Sequence, residues 1–168
     1  MWLRIVGGSV AAALIVLIVV ALAVPGALPF GPKARAHEAI KKGLFDPTSP
    51  LFSEEVIGDN EMVCGFVNAK NRMGAYVGAT PYLYVTDNVA STLPSTPKEA
   101  LRKFLHSDLN DADWKENLQN VYNECAFVDL WKSGCVSHGS NPLNDEGVCQ
   151  AVADSKTLRD AADKLGIR

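Results

Sequence analysis

Residues 5–24 read IVGGSVAAALIVLIVVALAV, twenty positions with no charge and Ser9 as the only polar side chain. At about 1.5 Å of rise per residue, a helix of that length covers the roughly 30 Å hydrocarbon layer of a bilayer. A helix in the core of a water-soluble domain seldom lacks a polar face altogether. The stretch therefore reads as a transmembrane helix stopped by Pro25-Gly26. A cleaved signal peptide is the alternative, because Met1 to Arg4 make a short basic start and Ala21-Leu22-Ala23 has the small-x-small pattern of a cleavage site. The apolar run exceeds the usual h-region of roughly 7–15 residues, which favours the uncleaved anchor. No cysteine follows it before Cys64, so a lipid-modified N-terminal cysteine is excluded.

Charge divides at the same place. Residues 1–37 hold three basic side chains (Arg4, Lys33, Arg35) and no acid, whereas the remainder carries thirteen basic residues against nineteen acids, a net of −6. A domain that acidic, with no basic run longer than two, is a poor partner for phosphate backbones, and nucleic-acid binding is set aside. Lys33, Arg35, Lys41 and Lys42 follow the apolar run while only Arg4 and the terminal amine precede it. The positive-inside rule taken alone would turn that richer side toward the cytoplasm.

The cysteines argue for the opposite orientation. Cys64, Cys125, Cys135 and Cys149 are even in number and all lie beyond the apolar segment, as expected of a domain delivered to an oxidising compartment. Of the three possible pairings, Cys64 with Cys125 and Cys135 with Cys149 is favoured, because Cys135 and Cys149 bracket the turn-rich loop GCVSHGSNPLNDEGVC. Cys135-x-x-His138 offers zinc-compatible ligand types, but no paired Cys-x-x-Cys knuckle accompanies it. No metal site and no cofactor is expected.

Beyond the apolar segment, PGALPFGP is a stiff spacer, and ARAHEAIKKGLF places Ala36, Ala39, Ile40 and Leu44 at helical spacing. Asp46-Pro47-Thr48-Ser49-Pro50 forces a turn. The pattern then changes to strands, EEVIG, EMVCGFVNAKN and GAYVGATPYLYV, the last two joined by Asn71-Arg72-Met73-Gly74 as a tight hairpin. In the second strand Met62, Cys64 and Phe66 share one face and Val63, Gly65 and Val67 the other, so helices should cover at least one side. Gly65 and Gly78 mark a bulge or a close backbone approach.

Thr96-Pro97-Lys98-Glu99 is a capping box with proline at the first helical position. Trp114, Leu118, Val121, Tyr122 and Cys125 then form an amphipathic stripe. A last helical region over residues 145–165 breaks near Asp154-Ser155. The expected architecture is α+β: the N-terminal transmembrane helix, one helix, a small three-stranded antiparallel sheet and three or so C-terminal helices packed on it. Its units are the anchor (1–24), a Pro/Gly-rich linker (25–33), the exported domain (34–126) and a C-terminal helical extension with the bridged loop (127–168).

Residues 62–84, MVCGFVNAKNRMGAYVGATPYLY, preceded by Asp46-Pro47-x-Ser49, resemble a family of small bacterial and phage-encoded exported proteins. Their pattern is matched by Val63, Cys64, Gly65, Val67, Asn68, Ala69, Lys70, Asn71, Gly74, Tyr76 and Gly78. The resemblance spans about 40 residues and implies export. Family members end with a second cysteine after a Trp-containing helix; Trp114 and Cys125 look like that pair, which supports joining Cys64 to Cys125. The chain departs from the family in its anchor and in everything after about Ala126. The resemblance implies no activity.

The favoured function is a membrane-anchored extracytoplasmic binding module. It is held in the cytoplasmic membrane by a single pass through residues 5–24, or secreted if that segment is cleaved, and an envelope protein or cell-wall component is its expected partner. Candidate binding residues are Asn68, Lys70, Asn71, Arg72 and Tyr76 on the hairpin, with Tyr82 and Tyr84 nearby. Against this stands the reading that Asn68 and Asn71 satisfy turn backbone groups while the tyrosines complete the sheet. An envelope-acting enzyme is a second class, for which Asp111 with Asp113, or Glu54 with Glu55, are the available carboxylate pairs. Nothing obliges His37, His106 and His138 to converge, and the Asp108/Asn110 stretch lacks the glycine of a calcium loop. An inward-facing membrane protein with reduced thiols is the third.

Overall fold

A computed structural model describes residues 30–87, 89–93, 95–107 and 113–167. The expected anchor lies outside the described residues, and among those described no helix is long and apolar enough to cross a membrane. The order is α1 (Pro32–Lys41), β1 (Leu51–Ile57), β2 (Val63–Lys70), β3 (Tyr76–Thr86), β4 (Val89–Thr92), α2 (Pro97–His106), α3 (Trp114–Gly134), α4 (Val148–Ala153) and α5 (Leu158–Leu165). Short 3-10 turns cover Asp59–Glu61 and Val136–His138.

The four strands form one antiparallel meander, β1-β2-β3-β4. Alternation along β2 and β3 supplies two apolar faces. Val63, Val67, Tyr82 and Tyr84 pack against Ala36 and Ile40 of α1. Cys64 and Leu83 point to the opposite side, among Phe127, Val128 and Trp131 of α3. A third cluster joins the helices to one another through Ala100, Leu101, Val121, Val148, Leu158 and Ala162. The sheet is thus covered on both sides, as two-faced apolar strands require.

Several local readings hold. The Thr96 hydroxyl accepts from the Glu99 N–H and the Glu99 carboxylate reaches back to the Thr96 N–H, completing the capping box. Val121 and Cys125 of the expected stripe are buried on α3, whereas Tyr122, expected on the same face, is exposed instead. The last helical region is broken in two between Ala153 and Leu158.

Three expectations are corrected. The sheet has four strands because Val89–Thr92 pairs with β3, a run too short and too polar to read as a strand. The first helix begins at Pro32, inside the expected spacer, since proline is favoured in a first turn whose N–H would go unpaired anyway. The cysteines pair as Cys64–Cys135 and Cys125–Cys149. The reason lies in α3, which runs unbroken from Trp114 to Gly134, through the division expected at Ala126. Cys125 and Cys135 are about 15 Å apart along its axis. Only its C-terminal end passes over Cys64, while its middle faces Cys149 on α4.

Candidate functional site

The hairpin between β2 and β3 ends in the turn expected from Asn71 to Gly74. The Asn71 side-chain oxygen accepts from the N–H groups of Met73 (2.9 Å) and Ala75 (3.1 Å). Gly74 takes φ 77°, a conformation glycine adopts without strain. Below the turn the register shifts between Asn68 and Lys70, and the Asn68 oxygen accepts from Gly78 N–H at 3.0 Å, with Gly78 at φ 105°. Both amides are therefore spent on bracing the backbone of the tip.

Of the remaining three candidates, Arg72 and Tyr76 are exposed and Lys70 is half-buried. The Lys70 ammonium lies 5.2 Å from the centre of the Tyr76 ring, and the Tyr76 hydroxyl donates to the Ser49 carbonyl at 3.0 Å. The Arg72 guanidinium stands 5.7 Å from the Phe45 ring. Phe45 and Ser49 flank Asp46-Pro47-Thr48, so that turn and the β2–β3 hairpin meet at this end of the sheet. Asp46 organises its loop by accepting from Ser49 and Thr48. Those hydrogen bonds, Ser49's foremost, hold its carboxyl down at about 2. Around this frame large apolar groups stand in solvent: Met73 is 91% exposed, Phe45 65% and Val77 63%. Exposed apolar side chains beside Lys70 and Arg72, on a turn braced by Asn68 and Asn71, can contact a macromolecular surface with little ordering cost.

A second constellation was not legible in the sequence. A β-bulge sets Glu54 and Glu55 together opposite Gly65, and Glu54, at φ 51°, is exposed. Glu55 turns inward over Gly65, where its carboxylate oxygen meets His37 Nε2 at 2.6 Å and accepts from the Tyr82 hydroxyl. Lys33 donates to the Glu55 carbonyl at 3.1 Å, and the His37 ring stacks on Phe52 at 3.8 Å. A side chain at position 65 would press on Tyr82 (2.9 Å) and Glu55 (3.0 Å), so glycine there is a condition of the network. Burial pushes the Glu55 carboxyl up, but the bonds from His37 and Tyr82 and the charge of Lys33 outweigh it and leave it below its ordinary value. Burial, followed by the bond to Glu55, raises the Tyr82 phenol, which stays a neutral donor. Local periodicity gave no signal of this node, since it joins positions 37, 55 and 82; the adjacency of Glu55 to a bulge opposite a strand glycine was the available hint. It fastens α1 to the sheet and does not form the carboxylate pair considered for Glu54 and Glu55.

The three histidines stay apart, on separate partners: His37 on Glu55, His106 on the Arg102 carbonyl and His138 on Asp59. Asp108, Asn110 and Asp111 lie outside the described residues. Among the described residues no group of three His, Cys, Asp or Glu side chains is placed to hold a metal ion. Compared with known proteins, the chain matches no family model, no curated protein and no solved structure.

Proposed function

We propose that this protein is a membrane-anchored extracytoplasmic interaction module whose working surface is the β2–β3 tip, related to the small exported family its strand motif resembles. The observation that carries the reading is the exposure of Met73, Val77 and Phe45 at the tip, with Lys70 stacked on Tyr76 and Arg72 on Phe45 beside a braced turn. Two disulfides fit an oxidising compartment outside the cytoplasm.

The test is a compartment-sensitive reporter fused after Arg168, read together with a membrane-impermeant thiol probe, and then a photo-reactive side chain at position 73 in cells. An extracytoplasmic signal with adducts at position 73, absent from a control at Lys156, is expected. A cytoplasmic signal overturns the reading in favour of an inward-facing protein with reduced thiols.

A further inference from the structure

β4 is one of the two edges of the sheet, β1 being the other: among the described residues it pairs with β3 alone. The phase of its ladder follows from one bond, Leu93 N–H to the Pro81 carbonyl at 2.9 Å. In an antiparallel pair, hydrogen-bonded and non-hydrogen-bonded positions alternate. Leu93 and Ser91 therefore turn their backbone groups toward β3, and Ala90 and Thr92 turn theirs outward. Side-chain direction alternates with the same period. Ala90 packs in the α1-side cluster and Leu93 in the α3-side cluster.

Two clefts flank this edge, one on each face, and both are lined by Ser91 and Thr92. The α1-side cleft, about 300 Å³, is walled by Ala39, Ile40 and Leu44. The α3-side cleft, about 320 Å³, is walled by Ser95, Lys103, Asn120, Asn123 and Glu124. Glu124 is only 7% exposed. One of its carboxylate oxygens accepts from the Ser95 hydroxyl and the other has no partner among the described residues. Pro94, the residue between Leu93 and Ser95, has no N–H to offer it. A buried acceptor left unpaired is costly, so the polar cleft is short of a donor.

We propose that β4 receives an extended segment of a partner protein as a fifth antiparallel strand, with small aliphatic side chains entering the α1-side cleft and alternate basic side chains reaching Glu124. Strand addition explains why a cleft with aliphatic walls and a polar cleft holding Glu124 lie on opposite sides of one edge, because successive residues of an added strand point to opposite faces. Charge complementarity selects the basic partner: a carboxylate oxygen lacks a donor within a domain of net charge −6. Burial already raises the Glu124 carboxyl above its ordinary value, even though the Ser95 bond and Lys103 oppose the shift. A cationic donor would relieve that cost. The surface is separate from the β2–β3 tip and does not depend on the function proposed for the tip.

The probe is the capped hexapeptide Val-Lys-Val-Lys-Val-Lys, titrated into the full-length chain in nonionic detergent while backbone amide resonances are followed. Shifts should centre on Ala90 to Leu93. N-methylation of the valine amides, which oppose Ala90 and Thr92 in an antiparallel addition, should abolish them, and N-methylation of the lysine amides should not. Thr92→Pro removes one outward N–H from an edge position and should weaken binding about tenfold; Glu124→Gln should weaken it about as much. No binding, binding that survives valine N-methylation, or equal binding of Val-Glu-Val-Glu-Val-Glu overturns the proposal. Concentration-dependent dimerisation with the same shifts and no peptide response would assign the edge to a second copy and overturn it equally.

Discussion

Gly58 lies against the carbonyl of Gly134, so close that a methyl group on its Cα would occupy the same space, and the Cys135 sulfur is 3.1 Å from that position. Its backbone is ordinary, at φ −96°, so glycine is needed here for proximity alone. The contact brings the turn before β2 onto the end of α3, beside the Cys64–Cys135 bridge. Gly58→Ala is expected to cost about 1–3 kcal/mol in urea unfolding, because the obstructing atoms are backbone. Gly43→Ala, whose new carbon would stand 3.6 Å from its nearest neighbour, should stay within about 0.5 kcal/mol.

The two bridges staple α3 at two levels, to the sheet and to α4. Non-reducing peptide mapping is expected to recover Cys64–Cys135 and Cys125–Cys149 linkages and no others. With 71 and 24 residues of separation, the chain-entropy picture assigns them about 4.4 and 3.5 kcal/mol. Replacing Cys64 and Cys135 by serine should therefore lower stability more than replacing Cys125 and Cys149, as measured by denaturant midpoints. Recovery of a Cys135–Cys149 peptide would refute the pairing.

Glu55 and Glu124 should impose pH dependences of opposite sign. The folded Glu55 carboxyl lies below its ordinary value, so its contribution is present above the unfolded value near 4.5 and is lost as pH falls through the folded one. Glu55→Gln should cost about 1–3 kcal/mol at neutral pH, and the deficit should shrink in acid. Glu124 is raised in the folded state, so the wild-type chain loses stability as pH rises from 4.5 through that higher value. Across that interval Glu124→Gln should gain on the wild type. Unfolding curves from pH 3 to 8 (about five units) check both.

At the hairpin, Asn71→Ala removes the acceptor for two turn N–H groups and should destabilise by about 1 kcal/mol. Met73→Ala changes an exposed group and Lys70→Ala a half-buried one on the rim of the sheet, and both should leave stability within about 0.5 kcal/mol. If the tip is a contact surface, the latter two should reduce adduct formation at neighbouring photo-reactive positions while melting curves remain unchanged. Full cross-linking in both variants would remove the tip from consideration.

Much of the fold was legible because it is written in short periods. The capping box at Thr96, the Asn71–Gly74 turn and the alternation through Met62 to Val67 depend on neighbours two to four positions away. The break between α4 and α5 was readable for the same reason. β4 was not: four residues with one large apolar side chain become a strand only because β3 is already in place to pair with them. The candidate tip was visible as a turn, yet which of its polar groups were free was not. Asn68 and Asn71 proved engaged, and the exposed Met73 and Val77 carry more of the surface than the sequence suggested.

The sequence by itself determined the apolar N-terminal segment, the acidic balance of the chain beyond it, the even cysteine count and the α+β alternation. These are sums or local periods that need no knowledge of long-range contacts. Only the tertiary structure decided the partners: Cys64 with Cys135, and Glu55 with His37 and Tyr82. Loop-closure cost grows only with the logarithm of length, so spanning 71 residues rather than the 14 between Cys135 and Cys149 costs only about 1.4 kcal/mol more. The packing of a 21-residue helix across a sheet easily exceeds that. Nearness in sequence was therefore a poor guide to pairing, and the direction in which α3 crosses β2 settled it.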